Sequence, residues 1–208
     1  MSSRTIAAAA TLLALLGLAG CDDSDPQPRP APSRTTATPP PDVPTTGPAD
    51  SPITWELGDG ATANDPPVAA LQRYIAFDTY LTSLPEDQRD GDDAAALASG
   101  YDALATGEQL TEVVNATKGY ERGARRTGPL WIRLSAHSVG DSRAQLVACT
   151  DERFHLAAGK TPDDEQKPSV TLYTLRSTGG DWKVSLRRSA SRHDLARCRS
   201  WNISSHTP

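Results

Sequence analysis

The sequence has little of what usually announces a chemistry. Its 208 residues include one methionine, two phenylalanines, three cysteines and four histidines. The cysteines (Cys21, Cys149, Cys198) are isolated from one another and the histidines (His137, His155, His193, His206) are scattered, so no zinc-type ligand pattern exists and neither metal nor cofactor is expected. No glycine-rich phosphate loop and no G-x-S-x-G turn is present, which removes several enzyme classes. The longest apolar run, Ile6 to Leu18, is only thirteen residues, short of the roughly 20 needed to span a bilayer. Basic residues are in deficit, 21 against 26 acidic ones, for a formal charge of −5. That balance disfavours nucleic acid as a partner, because phosphate binding needs basic patches. The late cluster Arg187, Arg188, Arg192, Arg197 and Arg199 reads as a solvated strand edge and tail.

What is present is organised around Leu18-Ala19-Gly20-Cys21. One basic residue, Arg4, and the apolar run precede it, and the composition turns abruptly to Asp, Pro, Ser and Thr after it, as at a secretory cleavage site. The cysteine at the cut resembles a bacterial lipobox. It implies lipidation of Cys21, attachment to the membrane through that lipid, and an extracytoplasmic location. Residues 1–20 are then a signal peptide, and their loss leaves 20 basic residues against 26 acidic ones, a charge of −6. Residues 21–52 read as a lipidated cysteine plus a disordered linker. Ten of the 17 prolines lie there and no aromatic residue precedes Trp55, so too little apolar surface is available to offset the entropy of ordering. With Cys21 lipidated, Cys149 and Cys198 remain, and an exported compartment favours a disulfide over two free thiols. Such a bond would contribute about 3–4 kcal/mol by the chain-entropy model.

Residues 53–208 form the domain. Residues 53–65 read as a transitional loop. Pro66-Pro67 starts a helix whose stripe is Val68, Leu71, Ile75 and Leu81, ended by Pro85. Further helices are expected over about 93–105 and 108–120. From Gly128 the period changes to two, giving strands over about 130–139, 143–150, 169–176 and 182–188, the last two joined by a Gly179-Gly180 hairpin. Helices first and an antiparallel meander after them point to an α+β domain with helices on one face of a curved sheet.

Several segments carry a family resemblance: Leu97-Ala98-Ser99-Gly100, Gly119 and Gly123, Ala148-Cys149-Thr150-Asp151, Gly180-Asp181-Trp182-Lys183-Val184, and Cys198. Over about residues 66–200 the chain resembles exported actinobacterial proteins, often lipoproteins, with an NTF2-like (SnoaL-like) cone-fold domain. The resemblance implies a pocket between the helices and the concave sheet face, and association as a homodimer through the sheet. It implies no particular reaction.

In enzymes of that fold an Asp or His works beside a Tyr, the pairing that proton transfer next to a carbonyl needs. The candidates here are Asp78 and Tyr74 for catalysis, and Tyr74, Phe77, Asp78, Tyr101 and Tyr120 for ligand binding; His137 and Tyr173 lie on strands. His137 shares strand parity with Trp131 and Arg133, so it points away from a pocket if Leu130 and Ile132 face the helices. Asp151 reads as structural, near the disulfide. The favoured function is a non-catalytic module that binds a small apolar ligand or an envelope protein. The alternative is a cofactor-independent isomerase, cyclase or hydratase using Asp78 and a pocket tyrosine. A cone of several hundred Å³ would favour ligand binding; one filled by Tyr74, Phe77 and Tyr120 would favour protein interaction.

Overall fold

A computed structural model describes residues 45–85, 88, 98–120 (118–120 by backbone alone) and 124–208. Cys21, the expected signal peptide and most of the helix expected over 93–105 lie outside these residues. In chain order the elements are β1 (Ile53–Leu57), α1 (Pro66–Ser83), a 3-10 turn (Gly100–Ala103), α2 (Gly107–Tyr120), β2 (Arg126–Thr127), β3 (Leu130–Val139), β4 (Arg143–Asp151), β5 (Leu156–Ala157), β6 (Ser169–Thr178), β7 (Asp181–Ser189), α3 (Arg192–Arg199) and a closing 3-10 turn (Ile203–Ser205). The class is α+β.

The main sheet has five strands in the order β1-β3-β4-β6-β7. All pairs are antiparallel except β1 with β3, which run parallel from Ile53 beside Leu130 to Leu57 beside Leu134. Gly179 and Gly180 both take positive φ (64° and 94°), which is what a tight hairpin with the twist of its strands demands of its two central residues. β2 and β5 pair separately as a short antiparallel ribbon.

Side chains alternate across the sheet, and both faces are covered. Toward α1 and α2 lie Leu130, Ile132, Leu134, Leu146, Tyr173, Leu175 and Val184, packed with Val68, Leu71, Tyr74, Ile75 and Leu81 of α1. On the opposite face Val147, Cys149 and Leu172 meet Cys198 and Trp201, with Trp131, Val170 and Ile203 alongside. β4 sits at the centre and sends alternate residues into each cluster, so it reads as the near-continuous run Leu146-Val147-Ala148-Cys149.

Three readings of the sequence are corrected. Residues 53–65 are not all loop, because Ile53–Leu57 is the edge strand β1. Its partner β3 lies far along the chain and no local turn announces the pairing. The linker's expected end at residue 52 is also too late. Gly128 N–H donates to Asp50 O and Leu130 N–H to Pro52 O, both within 2.9 Å. Trp55 Nε1 donates to Thr45 O, and Ser51 is fully buried. Third, the basic tail is not merely solvated. It forms α3, closed by a capping box in which the Ser191 side chain accepts from Asp194 N–H and the Asp194 side chain accepts from Ser191 N–H. Arg197 and Arg199 in its last turn complement the helix dipole.

Candidate functional site

A cleft of about 160 Å³ opens between α1 and the sheet, and Asp78, Glu152, His155, Tyr173 and Arg187 are among its lining residues. α1 places Asp78 at its rim, half-buried, beside the stripe that carries Ile75. The Tyr101 hydroxyl donates to Asp78 Oδ1 at 2.6 Å. Tyr101 is fully buried, held by the 3-10 turn, and packs edge-on against Phe77 at 4.9 Å between ring centroids. Gly100 permits that approach: a Cβ there would fall 2.3 Å from Phe77 Cζ.

Tyr74 lies deeper, 1% exposed, and its hydroxyl accepts from Gln109 Nε2 at 2.9 Å. Its ring is 5.8 Å from Tyr101 and 6.0 Å from Tyr173. Tyr74, Phe77 and Tyr101 therefore occupy the space between helices and sheet as packing, with both tyrosine hydroxyls hydrogen-bonded. Burial pushes the Tyr173 phenol up to about 12, so at neutral pH it is a hydrogen-bond donor and not a base. The Tyr120 side chain is outside the described residues. His137 lies on the other face of the sheet, beside α3.

No motif or spacing in the sequence singles out Arg126, Glu152 and His155. The β2–β5 ribbon brings them together: Arg126 Nη2 meets Glu152 Oε2 at 3.2 Å and donates to His155 O at 3.1 Å. Burial lowers the His155 pKa, and the nearby Arg126 charge adds to the effect, while the contact of its Nδ1 with Gly128 O works the other way. A buried neutral imidazole at a cleft can exchange a proton, but this one spends a ring nitrogen on a backbone carbonyl.

The outer face carries a second constellation. Buried Asp151 accepts from Arg153 through both oxygens at 3.0 Å and meets His206 Nδ1 at 2.8 Å. His206 Nε2 faces Glu56 Oε1 at 3.2 Å, and Trp201 Nε1 donates to Glu56 Oε2 at 2.8 Å. Burial alone would raise the Asp151 pKa; the hydrogen bonds from Arg153 and His206 outweigh it and hold the carboxyl below its usual range. Trp131 stacks flat on His206, 4.9 Å between centroids. Cys149 and Cys198 form a disulfide with Cα atoms 5.7 Å apart. Beside it runs a groove of about 630 Å³ lined by Lys167, Pro168, Val170, Leu195, Cys198, Arg199 and Trp201. No described helix is long and apolar enough to cross a membrane.

No family model matches the chain, and no curated protein matches it. Among solved structures, the intermembrane space region of chloroplast protein ARC6 aligns with 62% of this chain and 99% of its own, at 13% identity and a TM-score of 0.33. A likeness that loose carries no argument about fold or function.

Proposed function

We propose that the chain is an exported lipoprotein, anchored through Cys21, whose NTF2-like domain is a non-catalytic protein-interaction module. One observation carries the reading: the interior is filled by its own aromatic side chains, with Tyr74 1% and Tyr101 0% exposed. The remaining cleft of about 160 Å³ is below the roughly 300 Å³ at which small-molecule pockets begin. Its polar lining also suits an apolar ligand poorly. The larger apolar opening is on the outer face, where Val170, Leu195 and Trp201 are among the lining residues and Lys167 and Arg199 add positive charge. That chemistry fits a segment of an envelope protein that offers an apolar side chain flanked by carboxylates.

The test is photo-crosslinking in the native envelope with a crosslinking amino acid at Leu195, and at Tyr80 on α1 as a control. An adduct with a protein at Leu195 that Arg199→Glu abolishes, and that Tyr80 does not give, supports the reading. Equal adducts at both positions, or none, overturn it. Native mass spectrometry of the same material addresses the ligand-binding alternative. Covalent lipid survives denaturation, so a mass excess lost on denaturation would mean a bound small molecule and an interior that opens.

The enzymatic reading rests on the 2.6 Å bond between Tyr101 and Asp78 at the cleft rim, an acid–donor pair of the kind that shuttles protons beside a carbonyl. Turnover of a carbonyl substrate that Asp78→Asn removes, with the fold intact, would establish it over the interaction module.

A further inference from the structure

A histidine of β3 meets an adjacent histidine–aspartate pair where α3 crosses the end of that strand. The β3–β4 register shifts between Ala136 and Ser138, so His137 is the extra residue of a bulge, a device that re-aims a side chain out of the regular pleat. It faces α3, where His193 and Asp194 occupy the first turn. One nitrogen from each histidine and one oxygen from Asp194 lie within 4.8 Å of one another.

The Asp194 carboxylate is divided in use. Oδ2 accepts from Ser191 N–H at 2.9 Å and from Ser191 Oγ at 2.7 Å. Oδ1 is buried and has no hydrogen-bond partner among the described residues, and it faces His137 Nδ1 at 3.5 Å. The Asp194 side chain is only 3% exposed. A buried carboxylate oxygen without a hydrogen bond carries its full desolvation penalty, so one that faces His137 only at ion-pair distance, in a cluster that also holds His193, calls for an occupant. The 3.5 Å separation is long for a hydrogen bond, but it is close to the spacing between two ligands of one tetrahedral zinc ion: bonds of about 2.0–2.1 Å put such atoms about 3.4 Å apart. His193 is exposed and can swing to complete the set. Two imidazoles and one carboxylate suit a borderline transition metal and not calcium or magnesium, which take oxygen ligands.

We propose that His137, His193 and Asp194 bind a divalent cation of the zinc class, with the fourth position open to solvent. The ion joins α3 to β3 and so acts alongside the disulfide in holding the outer layer; it stabilises the folded chain by mass action, since the set does not exist when unfolded.

The experiment titrates the full untagged chain with Co²⁺ and then Zn²⁺. One equivalent of Co²⁺ should give the visible absorption of a tetrahedral site, Zn²⁺ should displace it, and the thermal midpoint should rise with either metal. His193→Ala and His137→Ala remove exposed side chains and leave the circular dichroism unchanged. Each should weaken binding by more than the roughly 10- to 100-fold typical of changes outside the ligand set. Asp194→Asn keeps an oxygen for the cap and should lose the metal while α3 persists. A cobalt spectrum that stays octahedral, or histidine variants that bind like the parent, would overturn the assignment.

Discussion

The inner face of the sheet is covered by α1, 18 residues long, and by α2. The outer face is covered by α3, eight residues long, and a few residues beyond it. The inner cluster is aliphatic and aromatic and needs no covalent help. Among the described residues, the outer cluster has Val147, Cys149, Leu172, Cys198 and Trp201 as its buried apolar members. It adds a disulfide, the Asp151–Arg153–His206 network and the two bonds to Glu56. Area secures one face and directed bonds secure the other. Apolar area is insensitive to oxidant, to which the disulfide responds, and pH acts through the buried titrating groups, His155 at the inner cleft and Asp151 on the outer face.

The largest separation should come from Asp151→Ala. It leaves buried Arg153 and His206 without their shared carboxylate, and breaking a buried ion pair costs about 3–5 kcal/mol. Leu146→Ala, on the inner side of the same strand, should cost about 2–5 kcal/mol through a cavity. The two are told apart by hydrogen exchange: Asp151→Ala should release α3 and the tail first, whereas Leu146→Ala lowers protection throughout. Loss of the disulfide comes next. Its sequence separation of 49 corresponds to about 4 kcal/mol, read as a lower denaturant midpoint in reductant. Reductant should leave the size of the Leu146→Ala effect unchanged.

Acid should act on the two faces in order. The His155 pKa is lowered in the fold, so its protonation opposes folding and stability falls as pH drops through the unfolded value of about 6.5. Asp151 is also lowered; its contribution is present above the unfolded value of about 3.9 and is lost as pH falls through the folded one. Urea midpoints measured from pH 8 to pH 3 should therefore show two declines, and Asp151→Asn should shrink only the lower one. Asp194 also contributes to that lower decline: burial alone would raise its pKa, and the Ser191 hydrogen bonds outweigh it. The smallest effect is expected from Ser191→Ala, which removes the α3 cap for about 1 kcal/mol and should raise exchange in α3 while leaving α1 untouched.

The inner half of the fold was largely legible in the sequence. Pro66-Pro67 and the stripe of Val68, Leu71, Ile75 and Leu81 define α1, and period-two patterning defines β3, β4, β6 and β7. The outer half was not. α3 carries only Leu195, Ala196 and Cys198 as apolar residues, too few for a periodic stripe, and its one local signal was the Ser191–Asp194 cap. β1 is five residues long and pairs in parallel with a distant strand. Asp78 and Tyr101 were both named, but their hydrogen bond spans 23 positions and no local rule joins them. His155, Glu152 and Arg126 depend on a ribbon of two-residue strands, and His137 reaches His193 only through a bulge.

The free edge of β7 is occupied where the inner layer reaches it. Val184 N–H donates to Leu104 O, Thr106 N–H donates to Val184 O, and Lys183 Nζ donates to Asp102 O. A strand from a second molecule would have to expel residues 102–106 before it could extend the sheet there. At high local concentration, as when many copies share one surface, this short brace protects the middle of that edge against self-templated aggregation, and a change that loosened it would show first as turbidity at high concentration, before any loss of fold in dilute solution.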